Sequence, residues 1–236
     1  MKTLNTKNFG ANCLKILIFG PPGSGKTTLA KTIKGKVLVI SAEAGLLCLY
    51  GSDIDMVDIT RDDNGEVIPT HKRIARIGEV YKFLQEDETR RKYEWIFIDS
   101  LSEISQNMLE MLNVEFPERK DSLVMYGENA KRMRALVKSF RDLPYYHVVF
   151  TALSEIERDE NNQRFTSVSV VGKISSQLPA YFDEVFYLHV NRTEDGLTQR
   201  LLITEASEKL AAKDRSGKLS KTEFPNLGLI AEKILK

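Results

Sequence analysis

The chain has 236 residues, a formal net charge of +1, 42% hydrophobic residues and 28% charged residues. That balance is ordinary for a folded globular protein with a sizeable core, and it leaves no global basic field to advertise nucleic acid. Two cysteines, Cys13 and Cys48, are too few for a disulfide framework, and no apolar run approaches the ~20 residues of a membrane span, so no membrane partner is expected.

In chain order, LKILIF (14–19) reads as a buried strand and TTLAKTI (27–33) as the start of a helix. KVLVIS (36–41) is a second strand, and DMVDIT (55–60) a third that ends in the turn signal DDNG. Residues 71–88 carry Ile74, Ile77, Val80, Tyr81 and Leu84 at helical spacing. YEWIFID (93–99) is a buried strand, followed by helices over 101–115 and 121–142 and a strand at YHVVFTA (146–152). Beyond Ala152 the chain turns polar: 154–165 is turn-rich and 166–180 weakly periodic. DEVFYLHV and TQRLLITEA flank NRTEDGL as a hairpin; 211–226 is a polar loop and 227–236 a short helix. Alternating strands and helices predict an α/β fold with a mostly parallel sheet flanked by helices and a C-terminal β-hairpin extension. The N-terminus shows no signal-peptide pattern, so the expectation is a soluble cytoplasmic protein: an N-terminal arm over 1–13 and one domain over 14–236.

GPPGSGKT (20–27) satisfies G-x-x-x-x-G-K-T between a strand and a helix. Glycines let the backbone turn tightly so that several N–H groups face an anion, and the helix start adds its positive dipole end. Gly20, Pro21, Pro22, Gly23, Ser24, Gly25, Lys26, Thr27 and Thr28 form the expected nucleotide-binding set. Lys26 places a charge at the β- and γ-phosphates, and the Thr27 hydroxyl is placed for Mg²⁺. Asp99, at the tip of WIFID, is the expected second metal anchor, with capping of the next helix as the alternative. Ser100 stands where many ATPases place a second acid, and Glu103 lies a turn later, supporting the helix start. Glu43, after the second strand, is the better candidate to activate water, against a solvated loop glutamate as the alternative.

Together, GPPGSGKT, SAE and WIFIDS resemble the RecA-like P-loop ATPase core, and more narrowly the small phage-encoded AAA-type ATPases that include Sak-type single-strand annealing proteins. The resemblance covers residues 14–235 and implies ATP and Mg²⁺ as ligands. It also implies a homo-oligomeric ring or filament, single-stranded DNA and its binding protein as partners, and a phage-infected or prophage-carrying bacterial cell. Lys213 and Arg215 match a K-x-R motif whose cations reach the γ-phosphate of the neighbouring subunit, a solvated turn being the alternative. Thr151 or Ser154 would sense the γ-phosphate, and Glu155 to Pro179 would match the DNA loops, with Phe165 to stack on a base. Two further sequence features are ambiguous. Lys131, Arg132, Arg134, Lys138 and Arg141 read better as a solvated helix face than as a DNA surface, and Phe9 better as packing on its own domain than as a docking arm. A small-molecule kinase, with Arg158 and Arg164 as a lid, and an ATP-switched scaffold are the competing functions.

Overall fold

A computed structural model of the chain describes residues 13–43, 45–118, 121–158, 162–193 and 195–236. The expected arm, including Phe9, lies outside the described residues except for Cys13. Among the described residues ten strands form one sheet. Its parallel body holds β1 (Lys15–Gly20), β2 (Val37–Ser41), β3 (Asp55–Asp58), β4 (Trp95–Asp99), β5 (His147–Arg158) and β7 (Glu184–Arg192), in the spatial order β7-β1-β5-β4-β2-β3. Antiparallel additions are β6 (Arg164–Ser169) on β5, β8 (Thr198–Ile203) and β9 (Lys213–Asp214) on β7, and β10 (Thr222–Glu223) on β8. The helices are α1 (Arg73–Phe83), α2 (Asp87–Lys92), α3 (Leu101–Glu115), α4 (Ser122–Arg141) and α5 (Leu227–Leu235).

The central strands are apolar at nearly every position because both faces of the sheet are covered. Side chains alternate between faces. Leu17, Phe19, Leu38, Ile40, Ile96 and Ile98 pack with residues of α1, α3 and α4, among them Ile77, Leu112 and Val137. Ile16, Ile18, Val37, Val39, Trp95 and Phe97, on the other face, pack in one cluster with Leu29 and Ala30 and with Ile230 and Ile234 of α5.

Four expectations differ from what forms. The segment after the phosphate loop is a 3-10 helix, Thr27–Thr32, rather than an α-helix. Few residues separate Lys26 from β2, and six residues of 3-10 helix rise about 12 Å against about 9 Å for an α-helix. Residues 71–88 form α1 and part of α2 with a break between them; the buried Tyr146 hydroxyl donates to the Leu84 carbonyl at 2.8 Å where α1 ends. The polar stretch 154–165 contributes to a β5–β6 hairpin rather than a simple turn. It reads as polar because the outer part of β5 is solvent-exposed. The loop 211–226 contains β9 and β10, each two residues long and too short to show a periodicity. Among the described residues no helix is long and apolar enough to cross a membrane.

Candidate active site

Parallel pairing brings the carboxyl ends of β1, β2, β4 and β5 to one edge: Gly20 stands opposite Leu153, and Ser41 opposite Asp99. The glycine loop lies on that edge. Gly23 and Gly25 have φ of 73° and 103°, a region that a side chain makes costly. Gly20 answers to a different constraint, since a Cβ there would lie 2.8 Å from the Leu188 carbonyl oxygen of β7. The Lys26 ammonium folds back over the loop and donates to the carbonyls of Gly20 at 2.9 Å and Pro21 at 3.0 Å. Burial lowers its pKa, while the nearby charges of Asp99 and Glu43 oppose that shift. The Ser24 hydroxyl is buried without a partner. Among the described residues the N–H groups of Gly23, Gly25 and Lys26 donate to no backbone carbonyl. A loop with that surplus of donors fits an anion.

The two expected metal anchors meet. Thr27 Oγ1 donates to Asp99 Oδ2 at 2.6 Å. Thr151 Oγ1 donates to the other carboxylate oxygen, Asp99 Oδ1. Thr151 is thus buried behind Asp99 and orients it. A hydroxyl beside a carboxylate is a hard-oxygen pair that suits Mg²⁺. Among the described residues no group of three or more His, Cys, Asp or Glu side chains gathers to hold a metal. A cation held by Thr27 and Asp99 would draw its remaining ligands from phosphate oxygens and water.

Ser100, not Asp99, caps α3: its hydroxyl accepts the Glu103 N–H at 3.4 Å. The same hydroxyl donates to Glu43 Oε1, and Ser41 Oγ donates to the Glu43 backbone carbonyl. Glu43, Lys26, Thr27 and Asp99 line one cleft of about 340 Å³. Glu43 also walls a second cleft of about 540 Å³ that holds Arg61, Arg73 and Glu103. Burial raises the Glu103 pKa, the Glu43 charge raises it further, and Arg73, 3.7 Å away, opposes both.

Sequence reasoning missed Arg200. Its Nε donates to the Ser24 carbonyl at 2.9 Å from β8. The signal in the sequence is faint, one cation in a hairpin strand, and antiparallel pairing with β7 is what carries it to the loop. Beside it a cleft of about 360 Å³ is walled by Leu29, Leu188 and Pro225 and rimmed by Thr28, Thr32 and Arg200.

A glycine cradle, its lysine and a paired hydroxyl and carboxylate on one sheet edge agree with a match to the family model of an AAA domain (AAA_24) over residues 12–216. The chain belongs to that family. This AAA domain is also similar to a solved structure of a prototypical ATPase from the type III secretion system of pathogenic bacteria, at 16% identity and a TM-score of 0.50. The match covers 75% of this chain and 52% of that one, so the AAA domain chain spans about half the length of the ATPase. At that identity the likeness speaks for the P-loop NTPase fold. Among curated proteins none matches.

Lys213 and Arg215 of the AAA domain chain lie away from this edge. β9 pairs with the start of β7, beside Ile16 of β1, at the end of the sheet opposite Gly20. Lys213 Nζ donates to the carbonyls of Pro179 at 3.1 Å and Phe182 at 2.5 Å, and Arg215 pairs with Asp183 at 2.6 Å. Neither serves the cradle of its own chain. On α4, Arg132 is paired with Glu115 and Glu128, and Arg141 with Asp142, as on an ordinary solvated helix face. Arg158 donates to Asn162 at 2.6 Å and stands opposite Arg164 across the β5–β6 hairpin.

Proposed function

We propose that this AAA domain binds ATP with Mg²⁺ and hydrolyses it, with Glu43 orienting the attacking water. The observation that carries the reading is the convergence of Lys26, Thr27, Asp99 and Glu43 on one cleft from separate element ends. Lys26 exchanges the Gly20 and Pro21 carbonyls for β- and γ-phosphate oxygens. Thr27 and Asp99 would hold Mg²⁺, which would neutralise phosphate charge when bound. Ser100 occupies Glu43 Oε1, which leaves Oε2 to take a proton from water. The nucleoside half lies along Leu29, Leu188 and Pro225, with Arg200 at its rim.

Because Lys213 and Arg215 sit at the far edge, their catalytic role requires a neighbouring copy, hence a ring or filament in which each subunit completes the next site. Stimulation by single-stranded DNA, a single-stranded-DNA-binding partner and a place in phage recombination or annealing are supported by the resemblance to Sak-type proteins. The second cleft beside Glu43 supports a competing reading, in which a phosphoryl acceptor sits there and Glu43 takes its hydroxyl proton.

The test measures ADP and phosphate release with and without single-stranded DNA, and again with hydroxyl acceptors. Hydrolysis should need Mg²⁺ and no acceptor. Glu43→Gln should still bind ATP while turnover falls roughly 100-fold or more. Wild-type turnover in Glu43→Gln, or calorimetry showing no Mg-ATP binding, overturns the reading.

A further inference from the structure

Ser100 is 1% exposed, and its hydroxyl joins two elements. It accepts the Glu103 N–H at the start of α3 and gives its one hydrogen to Glu43 Oε1. The next residue back in the chain, Asp99, has its two carboxylate oxygens held by Thr27 and Thr151. The Glu43 carboxylate is thus fastened to the same strand end that carries the metal anchor.

That fastening decides between two directions. Glu43 walls both the phosphate cleft and the neighbouring cleft, where Arg61 and Arg73 attract a carboxylate and Glu103 repels it. A glutamate side chain has three rotatable bonds; among the described residues Ser100 supplies its hydrogen bond, and without it only the non-directional attraction of Lys26 draws Glu43 to the phosphate side. The backbone bond from Ser41 fixes the Glu43 carbonyl and leaves the side chain free to turn.

We propose that Ser100 is a positioning residue that aims Glu43 at the phosphate cleft. The proposal rests on the reading of Glu43 as the group that orients water. It separates from helix capping by the choice of substitutions. Threonine and glycine are comparable N-caps and alanine is a poor one, yet only threonine keeps a hydroxyl to donate. ATP hydrolysis is measured for Ser100→Thr, Ser100→Gly, Ser100→Ala and Glu43→Gln, each checked for folding by circular dichroism. Ser100→Gly and Ser100→Ala should both lower kcat roughly ten- to 100-fold, the worth of one hydrogen bond to a charged group, with KM for ATP within about twofold. Ser100→Thr should keep at least about a third of wild-type kcat. Wild-type kcat in Ser100→Gly, or equal losses in Ser100→Thr and Ser100→Gly, overturns the proposal while a dead Glu43→Gln leaves the base assignment standing. An active Glu43→Gln overturns both.

Discussion

Replacing Glu184 with glutamine should make the protein more stable near neutral pH. Glu184 opens β7 opposite Asp214 of β9 and is 1% exposed. Its Oε1 accepts the Ser216 N–H at 3.2 Å, while Oε2 is buried without a partner. Burial, reinforced by the Asp214 charge, pushes its carboxyl from an ordinary 4.5 up to about 8. The folded-state value lies above the unfolded one, so the stability it lends is complete below pH 4.5 and is lost as pH rises to about 8. Each pH unit in that window costs up to about 1.4 kcal/mol, so about 3 kcal/mol is gone by pH 7. Glutamine keeps the shape and offers amide hydrogens to Asp214 without taking up a proton. Glu184→Gln should therefore nearly match wild type near pH 5 and exceed it by about 2–3 kcal/mol at pH 7 and about 3–4 kcal/mol at pH 8. Half-buried His147, pushed down to about 4, works in the opposite sense below its ordinary 6.5, but it is common to both proteins and cancels in the difference. Urea unfolding at several pH values, followed through the single tryptophan, Trp95, measures that difference. A difference that is flat with pH, or a variant less stable than wild type at pH 8, refutes the reasoning.

Two further outcomes test the site. Arg200→Ala removes the guanidinium from the Ser24 carbonyl and from the rim of the apolar cleft, and ATP affinity measured by calorimetry should fall roughly tenfold; unchanged affinity removes Arg200 from the site. Arg215→Ala breaks a partly exposed ion pair at a stability cost of at most about 1 kcal/mol, yet should be inactive alone and regain turnover when mixed with Lys26→Ala. Full activity alone, or no recovery on mixing, excludes a role at the neighbour's site. Lys213 is a poorer probe, because its ammonium satisfies the Pro179 and Phe182 carbonyls and its removal perturbs the fold.

The phosphate loop was legible because its information is local. Positive φ at Gly23 and Gly25 and the lysine and threonine after them depend on a few adjacent residues. The buried strands were legible for a similar reason: a strand covered on both faces must be apolar throughout, as WIFID is. Parallel order then places Asp99 and Glu43 at one edge, which position along the strands already implied.

Tertiary structure decided what those residues touch. Thr27 meets Asp99 from 72 positions away, Ser100 meets Glu43 from 57, and Arg200 meets Ser24 from 176. No periodicity encodes such meetings, because they follow from which strands pair and in which register. The same holds for Lys213 and Arg215, which the resemblance assigns to a neighbouring subunit's phosphate and whose strand pairs with the start of β7, away from the cradle of their own chain. The sequence determined the elements and the cradle through local sterics and burial. Only the pairing of distant strands could decide which side chains share a cleft.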